Sequence, residues 1–270
     1  MISLGLDGKI AIVTGGSAGI GFAIASELAE AGVAVVLADV AEEGAAKAEM
    51  LRGRGAKAHF VRTNVAVSND VVTLVDEVMA SFGRIDILVN NAGIYPRGGL
   101  LDTSEEMWDR VMDINLKSMF LCSQAVVPHM KKQGKGSIVN LSSSHAFIGL
   151  PELLAYSVSK GGISTLTRNL AGALARDRIR VNGVNPGWVA TEKELAERQE
   201  AGQSLEWLIE RGKELPLGRM QTGQDAANAV LFLVSDLADQ VTGQIIHADG
   251  GKEVATLFDD RSLEVRKEVL

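Results

Sequence analysis

Short apolar runs rich in β-branched residues alternate along the chain with longer segments whose apolar residues recur every three or four positions. The first pair is KIAIVTG at 9–15, typical of a buried strand, and FAIASELAEAG at 22–32, typical of a helix. The predicted strands are 9–15, 33–39, 56–65, 84–93, 136–143, 179–187 and 243–251. The predicted helices are 22–32, 42–55, 68–83, 104–133, 155–176, 191–213 and 224–236.

This alternation predicts an α/β fold. Strands separated by helices of such length form βαβ units, so we expect a doubly wound parallel sheet of about seven strands with helices on both faces. No Pro- or Gly-rich linker divides the series, which favours a single domain over residues 1–251. The remaining tail, 252–270, falls outside the pattern.

Composition and charge narrow the classes of partner. A net charge of −7 argues against a nucleic-acid footprint and against an anionic membrane surface. Cys122, the only cysteine, lies among apolar residues, which indicates a buried structural thiol and leaves no disulfide framework or metal-ligand set. The start lacks a signal-peptide pattern, and no apolar run reaches the ~18–20 residues of a membrane span. We therefore expect a soluble cytoplasmic protein without metal.

The segment TGGSAGIG, residues 14–21, lies where the first predicted strand ends and the first helix begins. Glycines at 15, 19 and 21 allow a tight turn, a close approach to a pyrophosphate and close helix packing, while the helix N-terminus offers free N–H groups to phosphates. A glycine-rich turn without a ligand is the alternative. The position in the first βα unit favours a dinucleotide site of the Rossmann type. Its expected cofactor contacts are Gly15, Ser17, Gly19, Ile20 and Gly21.

Asp39 ends the second predicted strand, eighteen residues after Gly21. A carboxylate at this place can accept both ribose hydroxyls of the adenosine half and repels a 2′-phosphate. It could also cap the helix that follows, and both roles are compatible. Because Ala18 and Val40 supply no positive charge, the sequence predicts NAD as the cofactor rather than NADP.

The chain resembles the short-chain dehydrogenase/reductase family over nearly all of residues 5–251. TGGSAGIG is similar to the family's TGxxxGxG turn, NNAG (90–93) to the motif after its fourth strand, and YSVSK (156–160) to its YxxxK motif. NPGWVAT (185–191) is similar to the PG motif after the sixth strand, and DGG (249–251) to the common ending. Several motifs in the correct order are more specific than any one of them.

The resemblance implies roles for matched residues. Tyr156 would be the general acid/base, Lys160 its electrostatic partner, Ser143 the donor to the reacting oxygen, and Asn115 a fourth member acting through a water. The serine is chosen from the run 142–144 because the family places it thirteen residues before the tyrosine. Further cofactor contacts would come from Asn64, Val65, Asn90, Asn91, Ala92, Gly93, Tyr156, Lys160, Pro186, Gly187, Val189 and Thr191. Asn64 stands where the family commonly has Asp, and its amide oxygen can still accept a hydrogen bond from adenine.

The chemistry explains why a tyrosine needs a lysine one helical turn away. Moving a tyrosine pKa from about 10 to about 7 requires roughly 4 kcal/mol of differential stabilisation of the phenolate. On a helix, residues i and i+4 face the same way, so the ammonium of Lys160 can favour that phenolate. The alternative is a chance Tyr–Lys pair and an ordinary serine-rich turn, and the dinucleotide turn in the same chain argues against it.

Substrate residues are less sharply marked. Tyr95, Arg97, His145, Glu152 and Trp188 are candidates, and the helix at about 190–215, which contains Trp207, occupies the place of the family's substrate lid. Their mixed hydrogen-bonding groups favour a sugar, polyol or related secondary alcohol. The alternatives are a 3-oxoacyl or other ketone reductase and a non-catalytic dinucleotide-binding sensor. The family resemblance implies a homotetramer, and the stretch 261–270 is either an amphipathic helix that docks on a neighbouring subunit or a frayed end.

Overall fold

The computed structural model describes residues 3–257, which form seven strands and ten α-helices. The strands are β1 (Ile10–Thr14), β2 (Ala34–Asp39), β3 (Ala58–Arg62), β4 (Ile87–Asn90), β5 (Gly136–Leu141), β6 (Ile179–Pro186) and β7 (Ile245–Ala248). The helices are α1 (Gly19–Glu30), α2 (Glu43–Gly53), α3 (Ser68–Phe82), α4 (Glu105–Met112), α5 (Ser118–Gln133), α6 (Leu154–Leu174), α7 (Glu192–Glu200), α8 (Leu205–Lys213), α9 (Gly223–Val234) and α10 (Lys252–Leu257). Over this part of the chain, no helix has the length and apolar character needed to cross a membrane.

The seven strands form one parallel sheet in the order β3-β2-β1-β4-β5-β6-β7. The strand order reverses between β1 and β4, so the two halves of the chain wind outward in opposite directions from this point. The predicted single doubly wound parallel sheet is confirmed. Open α/β sheets bind ligands in the crevice beyond the carboxyl ends of the strands at such a switch point.

Side-chain alternation divides the core between the two faces of the sheet. Ile12 belongs to a cluster that α3, α5 and α6 cover, whereas the adjacent Val13 belongs to one that α1 and α9 cover. Cys122 lies in the first of these clusters with only 2% of its surface exposed. Burial raises the pKa of its thiol to about 12, so no thiolate forms near neutral pH. The prediction of a buried structural thiol is confirmed.

Two predicted helices are divided in the structure. The stretch 104–133 consists of α4 and α5 joined by a π-helical turn at Asp113–Lys117, and hydrophobic periodicity does not reveal such an insertion. The stretch 191–213 consists of α7 and α8, separated where Gly202 adopts φ +77° and Ser204 caps α8 by accepting a hydrogen bond from Trp207 N. The short helix α10 was not predicted. The predicted helix or frayed end at 261–270 lies outside the described residues.

Candidate active site

A cleft of about 830 Å³ follows the carboxyl ends of β1, β2, β4, β5 and β6. The glycine turn after β1 and the end of β2 form one side of it. The loops after β5 and β6, together with α6 and α7, form the other side. Most of the predicted cofactor and catalytic residues therefore lie around the switch point of the sheet.

The glycine turn has the backbone shape that the sequence predicted. Gly15 adopts φ +62°, and a Cβ placed there would lie 2.9 Å from Ala92 Cα. A Cβ on Gly21 would clash with the carbonyl oxygen of Gly15. Gly19, at φ +50°, begins α1, and a Cβ there would come within 3.3 Å of the Thr191 methyl group across the cleft. The turn leaves the N-terminus of α1 accessible to a pyrophosphate, which fits a dinucleotide.

Asp39 lines the cleft and also stabilises the turns around it. Its Oδ2 accepts a hydrogen bond from Ser17 N at 3.1 Å, and its Oδ1 accepts one from Ala41 N at 3.2 Å. The N-cap of α2 is Glu42, so Asp39 supports the preceding turn and does not cap the helix itself. Each carboxylate oxygen keeps lone pairs for a ribose hydroxyl.

Most of the remaining predicted cofactor residues line the cleft, and two do not. Those that line the cleft are Asn64, Val65, Asn91, Ala92, Gly93, Pro186, Gly187, Val189 and Thr191, as well as Gly15, Gly19, Ile20 and Gly21. Asn91 Nδ2 donates to the carbonyl oxygens of Thr14 and Gly15 at 3.0 and 3.1 Å, which holds β4 to the glycine turn. Asn64 Oδ1 accepts from Ala66 N at 3.1 Å, so one of its lone pairs is already used within the chain.

Two predicted cofactor residues, Ser17 and Asn90, do not line the cleft, and their roles stay predictions. Ser17 does not line the cleft, because its hydroxyl is buried against Gly44 of α2, and only its backbone N–H serves the site, through Asp39. Asn90 is 1% exposed, and its Nδ2 donates to Asn140 Oδ1 at 2.9 Å inside the sheet. It ties neighbouring strands together and lies away from the cleft.

Ser143, Tyr156 and Lys160 meet on the other side of the cleft. Ser143 follows β5, and Tyr156 and Lys160 lie one turn apart on α6. Lys160 is 4% exposed, and its Nζ lies 5.5 Å from the centre of the Tyr156 ring and donates to Leu141 O at 2.8 Å. Ser142 donates its hydroxyl to Lys160 O at 2.8 Å. That bond commits Ser142 to α6, and Ser144 does not line the cleft, so Ser143 is the serine of the run 142–144 that can serve a substrate.

The electrostatics of this group differ from the sequence expectation. Burial raises the pKa of Tyr156 above its ordinary value, and the hydrogen-bonding interaction with Ser143 acts in the opposite direction. Burial also lowers the pKa of Lys160 to about 8, because the ammonium is removed from water. In the chain itself, burial is the larger effect on the Tyr156 pKa, and the lowering expected from Lys160 is not seen.

Asn115 lies in the π-helical turn, where it holds the chain that follows β4. Its Oδ1 accepts from Ile94 N at 2.8 Å, while its Nδ2 donates to Ile94 O at 2.9 Å and to Ser159 Oγ at 3.1 Å. The side chain is fully buried and does not line the cleft. Its contacts make it a link between the NNAG segment and α6, and its role through a water remains a prediction.

Four of the five predicted substrate residues line the cleft, namely Tyr95, Arg97, His145 and Trp188. The rings of Tyr95 and His145 each lie edge-on to Tyr156, with centroids 6.2 Å away. Glu152 does not line the cleft, and its role in substrate binding stays a prediction. Its half-exposed carboxylate lies 3.8 Å from the guanidinium of Arg97, which is itself a lining residue.

Comparison with known proteins places this architecture. The family model described as enoyl-(acyl carrier protein) reductase matches residues 15–253. A cyclopentanol dehydrogenase from Comamonas is 42% identical over 244 residues, which are 90% of this chain and 96% of the relative. The chain belongs to the short-chain dehydrogenase/reductase family. It is therefore an oxidoreductase of a family that uses nicotinamide dinucleotide cofactors.

Other relatives of this short-chain dehydrogenase/reductase differ in the activity that their names state. A 3-oxoacyl-acyl-carrier-protein reductase from Staphylococcus aureus is 40% identical over 245 residues, which are 90% of this chain and 97% of the relative. The solved structure of L-sorbose reductase from Gluconobacter frateurii, complexed with NADPH and L-sorbose, has a TM-score of 0.90 and 30% identity, and the match covers 93% of this chain and 99% of that one. The family is thus shown, while its members act on different substrates.

Several cleft residues of this short-chain dehydrogenase/reductase were not predicted from the sequence. Lys193, Glu194 and Arg198 reach the cleft from α7, and Lys252 reaches it from α10. The lid location of α7 was a usable signal for the first three. Lys252 follows the last predicted strand, and only the folded chain returns it to the cleft, where burial lowers its pKa.

One set of residues has the composition of a metal site. Among the described residues, ligand atoms of His247, Asp249 and Glu253 lie within 4.8 Å of one another. His247 Nδ1 lies 2.6 Å from Glu253 Oε2, and the Asp249 carboxylate accepts from the backbone N–H groups of Gly251 and Glu253. These contacts explain the set as a tether between β7 and α10.

Proposed function

We propose that this protein is an NAD-dependent oxidoreductase that interconverts a secondary alcohol and a ketone, with a sugar, polyol or related small hydroxy compound as its substrate. The observation that carries the proposal is the meeting of Ser143, Tyr156 and Lys160 in the same cleft as the glycine turn. A proton-transfer group and a dinucleotide cradle in one cleft fit a coupled hydride and proton transfer.

The chain's own residues would bind the cofactor and move the proton. The glycine turn and the N-terminus of α1 would hold the pyrophosphate, and Thr191 would lie beside the nicotinamide. When bound, the nicotinamide supplies the acceptor or donor of hydride. Ser143 would donate a hydrogen bond to the reacting oxygen, and Tyr156 would remove its proton in alcohol oxidation or return it in ketone reduction.

The raised pKa of Tyr156 determines how strongly the phenolate must be stabilised before it can act as a base. In the neutral form the phenol is ready to donate a proton to a ketone. Alcohol oxidation needs the phenolate, and bringing the pKa from about 10 to about 7 requires roughly 4 kcal/mol, more where burial has raised it first. The positive charge of Lys160 would supply part of this stabilisation, and oxidised nicotinamide would add a second positive charge.

Asp39 supports NAD over NADP. Among the lining residues that β1, β2, β3 and the turns after them contribute, it is the only charged one. A fixed carboxylate there favours two free ribose hydroxyls over a 2′-phosphate. NADPH is stated for the sorbose reductase structure, so the two proteins would differ in this property.

The rings around Tyr156 support a small oxygen-rich substrate. Tyr95 and His145 each bring a hydrogen-bonding group to the cleft beside Tyr156. Burial is the main cause that raises the pKa of Tyr95, so it stays a neutral phenol that can donate a hydrogen bond. These donors would recognise a second hydroxyl next to the reacting carbon. A 3-oxoacyl reductase remains the second candidate because of the relative with that name.

Matched substrates test the proposal. The change of absorbance from NADH would be followed with cyclopentanol, cis-1,2-cyclopentanediol, sorbitol and acetoacetyl thioesters. We expect the diol to have a kcat/KM about 3- to 10-fold above cyclopentanol, the value of one added hydrogen bond, and Tyr95→Phe to remove that difference. Turnover of the oxoacyl thioesters alone would show that the polyol proposal is wrong.

A further inference from the structure

Four side chains at the substrate side of the cleft form a cluster that we call the Glu194 latch: Trp188, Glu194, Arg198 and Trp207. They come from three segments of the chain. Trp188 belongs to the loop after β6, Glu194 and Arg198 to α7, and Trp207 to α8. The first three line the cleft, so the cluster connects the cleft wall to both lid helices.

Glu194 is the centre of this cluster. Its Oε1 accepts a hydrogen bond from Trp188 Nε1 at 2.7 Å and another from Arg198 Nε at 2.7 Å. The side chains of Glu194 and Arg198 are only 14% and 26% exposed. One carboxylate oxygen of Glu194 thus binds both the indole of Trp188, which lies outside α7, and the guanidinium of Arg198, which belongs to α7.

Trp188 is held from three directions. Glu194 binds its N–H group, the guanidinium of Arg198 lies 5.4 Å from its ring centre, and Trp207 meets it edge-on with centroids 6.5 Å apart. An indole held by a hydrogen bond at its edge and a cation at its face has few alternative orientations. The orientation of this cleft wall therefore depends on Glu194.

A pair such as Glu194–Arg198 can be an ordinary surface ion pair, because i,i+4 pairs are common on helices and have little effect. The neighbouring pair Lys193–Glu197 fits that description, with a separation of 3.7 Å and side chains 59% and 43% exposed. The Glu194 latch differs because it is largely buried and includes a partner outside the helix. Local helix stabilisation does not require the bond to Trp188.

The same helix also contacts the opposite wall and the expected cofactor side. Lys193 Nζ lies 4.2 Å from the centre of the Tyr95 ring. Glu194 N donates to Thr191 Oγ1 at 3.2 Å, and Thr191 faces Gly19 across the cleft. A change in the position of α7 would therefore alter both the substrate wall and the cofactor side.

We propose that Glu194 is a positioning residue that, through Trp188 and Arg198, fixes α7 and the loop after β6 in the arrangement that closes the substrate side of the cleft. Its effect on turnover rests on the proposed function. Its effect on the order of the lid does not.

Hydrogen exchange of the full-length protein tests the structural half without a substrate. In Glu194→Ala we expect amide exchange over 188–213 to increase about tenfold, because the buried contacts of Glu194 no longer oppose local opening of this segment. Exchange over 154–174 should stay unchanged. Glu194→Gln keeps an acceptor for Trp188 and should show a smaller increase. Glu200→Gln, an exposed residue of the same helix, is the matched control and should match the wild type. Equal exchange in Glu194→Ala and the wild type would overturn the proposal.

Kinetics and binding test the functional half. With any alcohol that the enzyme oxidises, Glu194→Ala should raise KM about tenfold and change kcat less than about threefold, the pattern of a lost contribution to binding that is equal in the ground and transition states. Trp188→Phe removes the N–H donor together with part of the ring, and its effect combined with Glu194→Gln should be clearly less than the product of the single effects. Multiplicative effects would overturn the coupling. If no alcohol is oxidised, the proposed function fails, and the exchange result still decides the latch.

Discussion

The charge of Asp39 should decide which dinucleotide the enzyme binds. Its carboxylate is fixed by the N–H groups of Ser17 and Ala41 and therefore cannot move far from a 2′-phosphate. Two unit charges at 4 Å repel by about 1 kcal/mol in water and by about 4 kcal/mol at an effective dielectric constant of 20. The bond from a ribose hydroxyl to a carboxylate adds about 1.5 kcal/mol in favour of NAD. Together these effects predict a preference of about 2.5 to 5.5 kcal/mol, or about seventyfold to ten thousandfold.

Titration of protein fluorescence with NADH and NADPH measures this preference directly. Asp39→Asn keeps the size of the side chain and removes its charge, so most of the preference should disappear, mainly through tighter NADPH binding. Asp76→Asn, on the exposed face of α3, is the matched control and should keep the wild-type ratio. Equal affinities in the wild type, or an unchanged ratio in Asp39→Asn, would refute the electrostatic reasoning.

Two further predictions concern the glycine turn and the buried lysine. Gly21→Ala should weaken NAD binding at least about tenfold and destabilise the fold by about 1–3 kcal/mol, because its Cβ would clash with the Gly15 carbonyl. Calorimetric titration with NAD and urea unfolding measure these effects. Gly172→Ala, with open space around it, is the control and should be neutral or stabilising in both assays. An equal effect of both substitutions would contradict the close packing of the turn. Because the pKa of Lys160 is lowered from 10.5 to about 8, the unfolded chain binds more protons between these values, so this group makes the free energy of unfolding rise with pH by up to about 1.4 kcal/mol per unit. Urea unfolding between pH 8 and 10 should show a smaller rise in Lys160→Met, and identical pH dependence in both proteins would contradict the burial of a charged lysine.

The sequence predicts the sheet and most of the cleft because both depend on local patterns. Apolar periodicity gives the order of strands and helices, and the ends of parallel strands then fall at one edge of the sheet. The glycine spacing at 15, 19 and 21 and the one-turn spacing of Tyr156 and Lys160 are equally local. Their shared position follows from the topology without knowledge of side-chain contacts.

Other features depend on packing and could not be predicted from these patterns. Glu152 lies close to Tyr156 in sequence, but it turns to Arg97, a residue far from it along the chain. Lys252 enters the cleft from a helix after the last strand. The raised pKa of Tyr156 arises from burial, whereas the sequence indicates only the charge of the neighbouring lysine. The spacing of residues in the sequence thus locates Tyr156 and Lys160, whereas burial in the folded chain shifts their pKa values.

The most direct test of the proposed proton transfer by Tyr156 is a comparison of turnover and cofactor binding between Tyr156→Phe and the wild type. This substitution removes the phenolic oxygen and keeps the ring against Tyr95 and His145. If Tyr156 moves the proton, kcat should fall about 100- to 10 000-fold while the Kd for NAD stays within about twofold of the wild type. Turnover at the wild-type rate in Tyr156→Phe would contradict the central claim.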